Sequence, residues 1–351
     1  LGFNPAGVQV LNVDLSLLRY SEEEAVVFMD NLRERATVIP GVEAVGYSQT
    51  LPLGGTTMTT AVEVPGSDFG PGGEGLEADL AFVTPGFFRA LGIGFLEGRS
   101  FQGTGSEGGQ EVVVNRIAAA RIWPGQGAVG KTLRVAGEAR TVSGVVVDGK
   151  VRAIGEAPRF VVYLPLGPQA SRDIFLVARA RPSTTGIGRE LRRVVAELDP
   201  RIPVQTNQPF EAVIGQSLLP NRVAAGLAGS LGLAGLLLTI IGLYGVLSHN
   251  VAHRTREIGV RMALGADARR IQGSVVGGGI RLVALGGGVG LPFAIAISWA
   301  LRSRLYGLSP ADPLILLATT VLLSAVAAFS SFLPARRATA VDPSIALREE
   351  R

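Results

Sequence analysis

Beyond residue 220 the chain passes three times through twenty or more residues without a charge, and no other feature limits its fold so tightly. Val223 to Ser248 is 26 residues long. Leu282 to Leu301 is 20, or 27 from Val275 if Arg281 is allowed inside, and Leu314 to Leu333 is 20. About 20 residues at ~1.5 Å rise each cross the ~30 Å hydrocarbon core of a bilayer as one helix. Buried helices of soluble domains are rarely so long or so free of charge. The runs predict three membrane spans, about 223–248, 275–301 and 314–333. The first, about 39 Å long as one helix, exceeds the bilayer and must tilt or project. Gly286 and Gly290, like Ala225 and Gly229, stand four apart, a spacing that lets helix backbones approach closely in lipid. A chain with 47 glycines also yields such pairs by chance.

The arginines orient the spans. The segment 249–274 carries Arg254, Arg256, Arg261, Arg269 and Arg270 against Glu257 and Asp267, and the tail 334–351 adds Arg336, Arg337, Arg348 and Arg351. The loop between the second and third runs holds only Arg302, Arg304 and Asp312. The excess of positive charge places segment and tail in the cytoplasm. Residues 1–215 then lie outside a plasma (inner) membrane that residues 216–351 cross several times. A chain opening at Leu1 without a signal peptide needs an upstream anchor to reach that place. Only Lys131 and Lys150 of the 33 basic residues are lysine, and the net charge is +4. That is an arginine-rich composition, not a nucleic-acid surface, and no nucleic-acid partner is expected. There are no cysteines, so no disulfide framework is present.

Residues 1–215 read as a mixed domain. Val8 to Leu18 alternates as a half-buried strand. Ser21 with Glu24 forms a capping box that opens a helix, and Pro40-Gly41 stops it before a strand at Val42–Ser48. A related pattern returns with strands near Phe160–Tyr163 and Phe175–Ala180, a helix at 188–198 and a strand at Ile202–Gln205. The fold class expected is an α+β extracytoplasmic domain, a split β-α-β sandwich, followed by an all-α membrane domain of three transmembrane helices. The stretch 75–148, with short strands at Glu111–Asn115, Thr132–Val135 and Thr141–Val147 and a helix near Arg116–Trp123, reads as an inserted second lobe.

Two motifs imitate chemistry. Residues 125–132, GQGAVGKT, fit the phosphate-binding pattern G-x-x-x-x-G-K-[ST], and Asp148 stands where a magnesium aspartate could be. A phosphate loop needs a strand before it and a helix after it. Here the order is reversed, and the stretch reads as a turn between helix and hairpin. His249 and His253, four apart, resemble a zinc-protease pair, but without the intervening glutamate or a third ligand they read as structural or interfacial. No catalytic residues, no metal ligands and no cofactor are expected, and the chain reads as no enzyme.

The segment after His253 is the most informative. Arg254, Arg256, Glu257, Ile258, Arg261, Leu264 and Gly265 mix charge and apolar residues at helical spacing, with Ile258, Met262 and Gly265 along one stripe and Arg254, Glu257 and Arg261 along another. Such a helix suits either anionic lipid headgroups or a cytoplasmic partner anchored on the apolar stripe.

At these residues the chain resembles the MacB/FtsX-like permeases of ABC transporters, essentially from end to end. Arg256-Glu-Ile-Gly-Val-Arg-Met-Ala-Leu-Gly-Ala266 is similar to the family's coupling segment. Pro334-Ala-Arg-Arg337, Val341-Asp-Pro343 and Ala346-Leu-Arg348 resemble its C-terminal signature. Val83 to Gly92, Gly98-Arg-Ser-Phe101, Trp123-Pro-Gly125 and Gly130-Lys131 resemble the MacB-type periplasmic core. The resemblance implies an ABC ATPase subunit as partner, touched by Arg254, Arg256, Glu257, Ile258, Arg261, Leu264 and Gly265, and a second permease module. It also implies four spans per module, with the outer domain between the first two. Only the last three occur here, so the chain looks like a fragment, as the second half of a duplicated permease would. The implied function couples ATP hydrolysis by the partner to movement of the outer domain, for efflux or mechanotransmission. The alternative is a regulatory or signalling membrane protein whose outer domain controls a partner such as a cell-wall hydrolase.

Overall fold

The computed structural model describes residues 1–64, 75–102, 110–167, 172–182, 184–253, 260, 268–300, 314, 317–326 and 328–329. The chain divides into two compact units, Leu1–Pro220 and Asn221–Arg351. The first unit runs β1 (Val8–Asp14), α1 (Glu22–Thr37), β2 (Val42–Ser48), β3 (Met58–Glu63), β4 (Leu76–Val83), α2 (Pro85–Leu91), β5 (Phe95–Gly98) and β6 (Glu111–Asn115). It continues with α3 (Arg116–Ile122), β7 (Thr132–Val135), β8 (Glu138–Val146), β9 (Val161–Pro165), β10 (Asp173–Ala180), α4 (Ile187–Leu198), β11 (Val204–Pro209) and α5 (Phe210–Ser217).

Local chemistry starts the fold as expected. The Ser21 hydroxyl accepts from the Glu24 N–H at 3.2 Å, and the Glu24 carboxylate accepts from the Ser21 N–H at 2.8 Å. This reciprocal cap satisfies two of the donors that α1 would otherwise leave open. Strands β11, β1, β10 and β2 lie side by side in that order, all antiparallel, which is the split β-α-β arrangement. Helices cover both faces. Leu11 and Val13 of β1 pack with Phe28 and Leu32 of α1 and Leu191 of α4, while Val8 and Val10 pack with Phe87 and Phe88 of α2 and Phe210 of α5. The strand read as half-buried is therefore buried on both sides.

Between β2 and β10 the chain builds a closed ring in the order β4, β3, β7, β8, β6, β9 and back to β4. All six strands feed one core that includes Val62, Leu80, Val114, Leu133, Val142 and Val162. The strands β3 and β9 flank the stretch 75–148 and complete the ring. Here the sequence reading needs a correction: the strand near Phe160–Tyr163 is β9, and it belongs to the ring. It pairs parallel with β4 and antiparallel with β6, and every one of its residues is buried. The second β-α-β unit is accordingly β10, α4 and β11. The ring joins the sheet through β4, whose Val83 pairs with Ser48 of β2.

The Val83 to Gly92 motif explains itself in this frame. Thr84 Oγ1 accepts from the Tyr47 N–H at 2.8 Å, Pro85 fills the first helical position, and Gly92 caps α2 at φ 64°. Gly86 and Gly46 let α2 rest directly on β2. A Cβ on Gly86 would stand 2.0 Å from the Val45 carbonyl oxygen, and one on Gly46 would stand 2.2 Å from the Phe87 nitrogen.

In the second unit α6 spans Leu219–His253 and α7 spans Ala268–Ala300, with Pro292 inside it. Among the described residues, the stretch Arg222–Val246 is long and apolar enough to cross a membrane; Ala284–Ile297 and Leu317–Val326 are shorter apolar helical stretches.

Candidate functional site

All seven residues expected to touch a partner, Arg254, Arg256, Glu257, Ile258, Arg261, Leu264 and Gly265, lie outside the described residues. Their frame is described: α6 ends at His253 on one side, and α7 begins at Ala268 on the other. At ~1.5 Å per residue α6 is about 50 Å long, which exceeds a ~30 Å hydrocarbon core. Two of its hydroxyls are satisfied within the helix, Ser230 donating to the Leu227 carbonyl at 2.9 Å and Thr239 to the Gly235 carbonyl at 2.8 Å. Side chains bonded in this way can enter lipid without an orphaned donor. The last turn carries His249 and His253 in edge-to-face contact, ring centroids 4.3 Å apart.

At its other end α6 is nearly continuous with α5, from which only Leu218 separates it. The short helix α5 is anchored in the core. Phe210, fully buried, stacks on Phe3 with ring centroids 5.6 Å apart, and Ile214 joins the same cluster. At the centre of that cluster Phe88 makes edge contacts with Phe87, Phe95, Phe101 and Tyr163. Tyr163 is in β9 and Phe95 in β5, so one aromatic core ties the helical exit to the sheet and to the ring. Arg179 fixes the entering chain: its guanidinium donates to the carbonyls of Ala90 at 2.8 Å, Ala6 at 3.0 Å and Asn4 at 2.7 Å. None of this was visible as a motif. The only signal was the concentration of phenylalanine in the first unit, and spacing does not say which rings meet.

An ionic cluster around one buried carboxylate holds the loop between β8 and β9. Asp79 in β4, 1% exposed, accepts from Arg152 Nη2 at 2.6 Å and Nε at 3.0 Å, and from Arg159 Nε at 2.5 Å. Glu77 lies 3.7 Å and 3.5 Å from the same two guanidinium groups. Nearby, the Glu156 carboxylate accepts the N–H groups of Val151 at 2.6 Å and Arg152 at 3.2 Å. The hydroxyl of Tyr163 beside this cluster is pushed well up by burial, then by the charges of Asp148 and Asp79.

The phosphate-loop text is a turn. Helix α3 precedes it and strand β7 follows it. The Gly130 N–H donates to the Val142 carbonyl at 2.8 Å and the Lys131 N–H to the Ala128 carbonyl at 3.1 Å. Lys131 Nζ donates to Gln126 Oε1 and sits 5.8 Å from the centre of the Trp123 ring. Asp148 is spent on α3, accepting from the Ile117 N–H at 2.9 Å, Asn115 Nδ2 at 3.1 Å and Arg116 Nε at 2.8 Å.

Two family models match the chain. A family model for a MacB-like periplasmic core domain matches residues 18–208, and one for an FtsX-like permease C-terminal domain matches residues 229–343. The macrolide export ATP-binding/permease protein MacB of Chromobacterium violaceum is 28% identical over 290 residues, covering 78% of this chain and 44% of that protein. The protein of the same name from Brucella abortus is 37% identical over 131 residues, covering 35% and 19%. The chain thus spans less than half the length of these relatives. The crystal structure of the periplasmic region of MacB from Actinobacillus actinomycetemcomitans aligns with a TM-score of 0.41 at 13% identity, covering 61% of this chain and 94% of that one.

Proposed function

Because the chain belongs to the MacB/FtsX-like family of ABC transporter permeases, we propose that it is the membrane subunit of an ABC system in which a partner ATPase moves the domain formed by residues 1–215. In this reading the second unit crosses the inner membrane three times, residues 1–215 stand outside, and the segment 249–274 and the tail 334–351 face the cytoplasm. Arg254, Arg256, Glu257, Ile258, Arg261, Leu264 and Gly265 meet the ATPase. The relatives' names join ATP binding and permease in one protein; here the permease part acts with ATP hydrolysed by a separate subunit and pairs with a second permease module.

One observation carries the reading. The helix that follows the first unit is almost continuous with α5, and α5 is buried through Phe210 in the aromatic core common to sheet and ring. Only Leu218 separates α6 from the helix whose Phe210 lies in that core, so the chain between a membrane helix and the core is short. Chemistry in the first unit is not needed for this role, since the work is mechanical. The test is co-purification of the membrane-inserted chain with ATPase activity measured on the complex. Arg256→Glu combined with Glu257→Arg is expected to lose the bound ATPase while insertion is kept. An ATPase retained at full stimulation by the double variant would sink the assignment.

A further inference from the structure

The mechanism above leaves one groove unused. It encloses about 660 Å³ at the end of the four-stranded sheet where β1 begins and where β10 and β11 end. Its wall includes Gln9, Arg181, Arg189, Arg192, Asn207 and Glu211. Three guanidinium groups therefore face one carboxylate, that of Glu211. Arg181 is held 3.6 Å from Glu43, whereas Arg189 and Arg192, one turn apart on α4, have no ion-pair partner among the described residues. The amides below them are already engaged: Gln9 Nε2 donates to Asn207 Oδ1 at 2.7 Å, and Asn207 Nδ2 donates to the Gly188 carbonyl at 2.7 Å. Gly188 permits this floor, because a Cβ there would stand 2.6 Å from both amide side chains. Arg189 and Arg192 are thus the positive charges of the groove without an ion-pair partner among the described residues, and they select an anion. A guanidinium fork matches a phosphodiester oxygen pair.

The source of that anion follows from the chain path. Pro209 closes β11 beside Gln9, and the apolar stretch of α6 starts at Arg222. The residues between are helical apart from Leu218, a path of about 20 Å. A basic groove on so short a tether from a membrane helix meets headgroups in preference to any soluble anion. We propose that it binds the phosphodiester headgroup of an anionic membrane lipid, with Arg189 and Arg192 as ligands and Arg181 at the rim. This rests on the reading that α6 spans the membrane.

The chain has no cysteine, so Thr185→Cys in the groove wall and Leu17→Cys beyond the far end of β1, where Leu17 is 61% exposed, each give one labelling site. The full chain is placed in nanodiscs containing headgroup-quencher phosphatidylglycerol or headgroup-quencher phosphatidylcholine at equal fraction, and quenching of the label is read. Position 185 is expected to prefer phosphatidylglycerol, and position 17 to show no preference. Arg189→Gln with Arg192→Gln should lower the preference about thirtyfold, the effect usual for two basic residues at an anionic surface. Raising the salt to about 1 M, where the Debye length is ~3 Å, should reduce it in the unsubstituted groove. Equal quenching by both lipids, a preference that survives the double substitution, or its displacement by millimolar inorganic phosphate would overturn the proposal. Failure of the chain to enter nanodiscs would overturn the spanning helix and the groove together, whereas insertion without preference removes the groove alone.

Discussion

Asp79 is a carboxylate that the fold has almost wholly withdrawn from water and then matched with two arginines. Removing a charge from such a group leaves its partners aimed at nothing, a loss of about 3–5 kcal/mol for a fully buried pair. Arg152 and Arg159 retain about a third of their side-chain surface, so the loss should be nearer 2 kcal/mol. Asp79→Asn is therefore expected to lower the urea midpoint of the full chain, followed by tryptophan fluorescence; an unchanged midpoint would show that the loop is held by Glu156 alone. Asp199 gives a prediction of a different form. Arg201 donates to it from Nε at 3.0 Å and Nη2 at 2.7 Å, its backbone N–H adds a bond at 2.9 Å, and the Tyr20 hydroxyl adds one at 2.7 Å. These donors hold the carboxyl well below the usual carboxylate range. A depressed carboxyl stabilises the fold above its unfolded value, near 3.9, and that stabilisation is lost as the pH falls toward the folded value. Asp199→Asn should destabilise at neutral pH and have progressively less effect below about pH 4. The same denaturation series at several pH values would check this.

Helix α5 is only eight residues long, too short to stand alone in water, and it exists because Phe210 and Ile214 are buried. Phe210→Ala removes a ring from a closed aromatic core, typically a loss of about 3–5 kcal/mol. It should loosen α5 from the sheet while leaving the ring's own core intact, measurable as faster amide exchange in residues 204–217 than in 111–146. How far the sequence discloses such elements depends on what writes them. The α1 cap is written in two neighbouring side chains, Ser21 and Glu24, and α4 in a clear apolar stripe through Ile187, Leu191 and Val195, so both can be read directly. Strand β4 carries little alternation because most of its residues are covered on both faces, β3 alternates in burial but with Thr60 among its inward positions, and no local rule announces either. The assignment of β9 to the ring depends on pairing with β4, about eighty positions earlier, and long-range pairing leaves no periodic trace. The site divides in the same way. The charged segment after His253 is conspicuous in sequence because its pattern is local, whereas Phe210, Arg179 and Asp79 become recognisable only once their partners are brought beside them.

On the proposed function, the charge cluster after His253 and the aromatic anchor would make separable demands on one mechanical path. Reversal at Arg256 and Glu257 should detach the ATPase; Phe210→Ala should leave the ATPase bound and hydrolysing, yet weaken the response of residues 1–215 to ATP. Co-purified ATPase activity compared with label mobility in the first unit would separate the two, and identical behaviour of both variants would argue against a path through α5. The closed ring and the open sheet differ in how they meet a load. Every strand of the ring has at least two neighbours, but among the described strands β11 borders β1 alone. On the proposed function, tension passed down the chain through α5 would reach β11 at its tip, where Pro209 stands opposite Gln9. A ladder loaded at one tip and across its rungs opens like a zipper, one rung after another, and offers little of the resistance of a joint loaded in shear. Phe210 sits where the slider would start. A tug must first draw one aromatic ring out of the core, so the outermost strand should survive repeated small pulls and peel only under a load that extracts it.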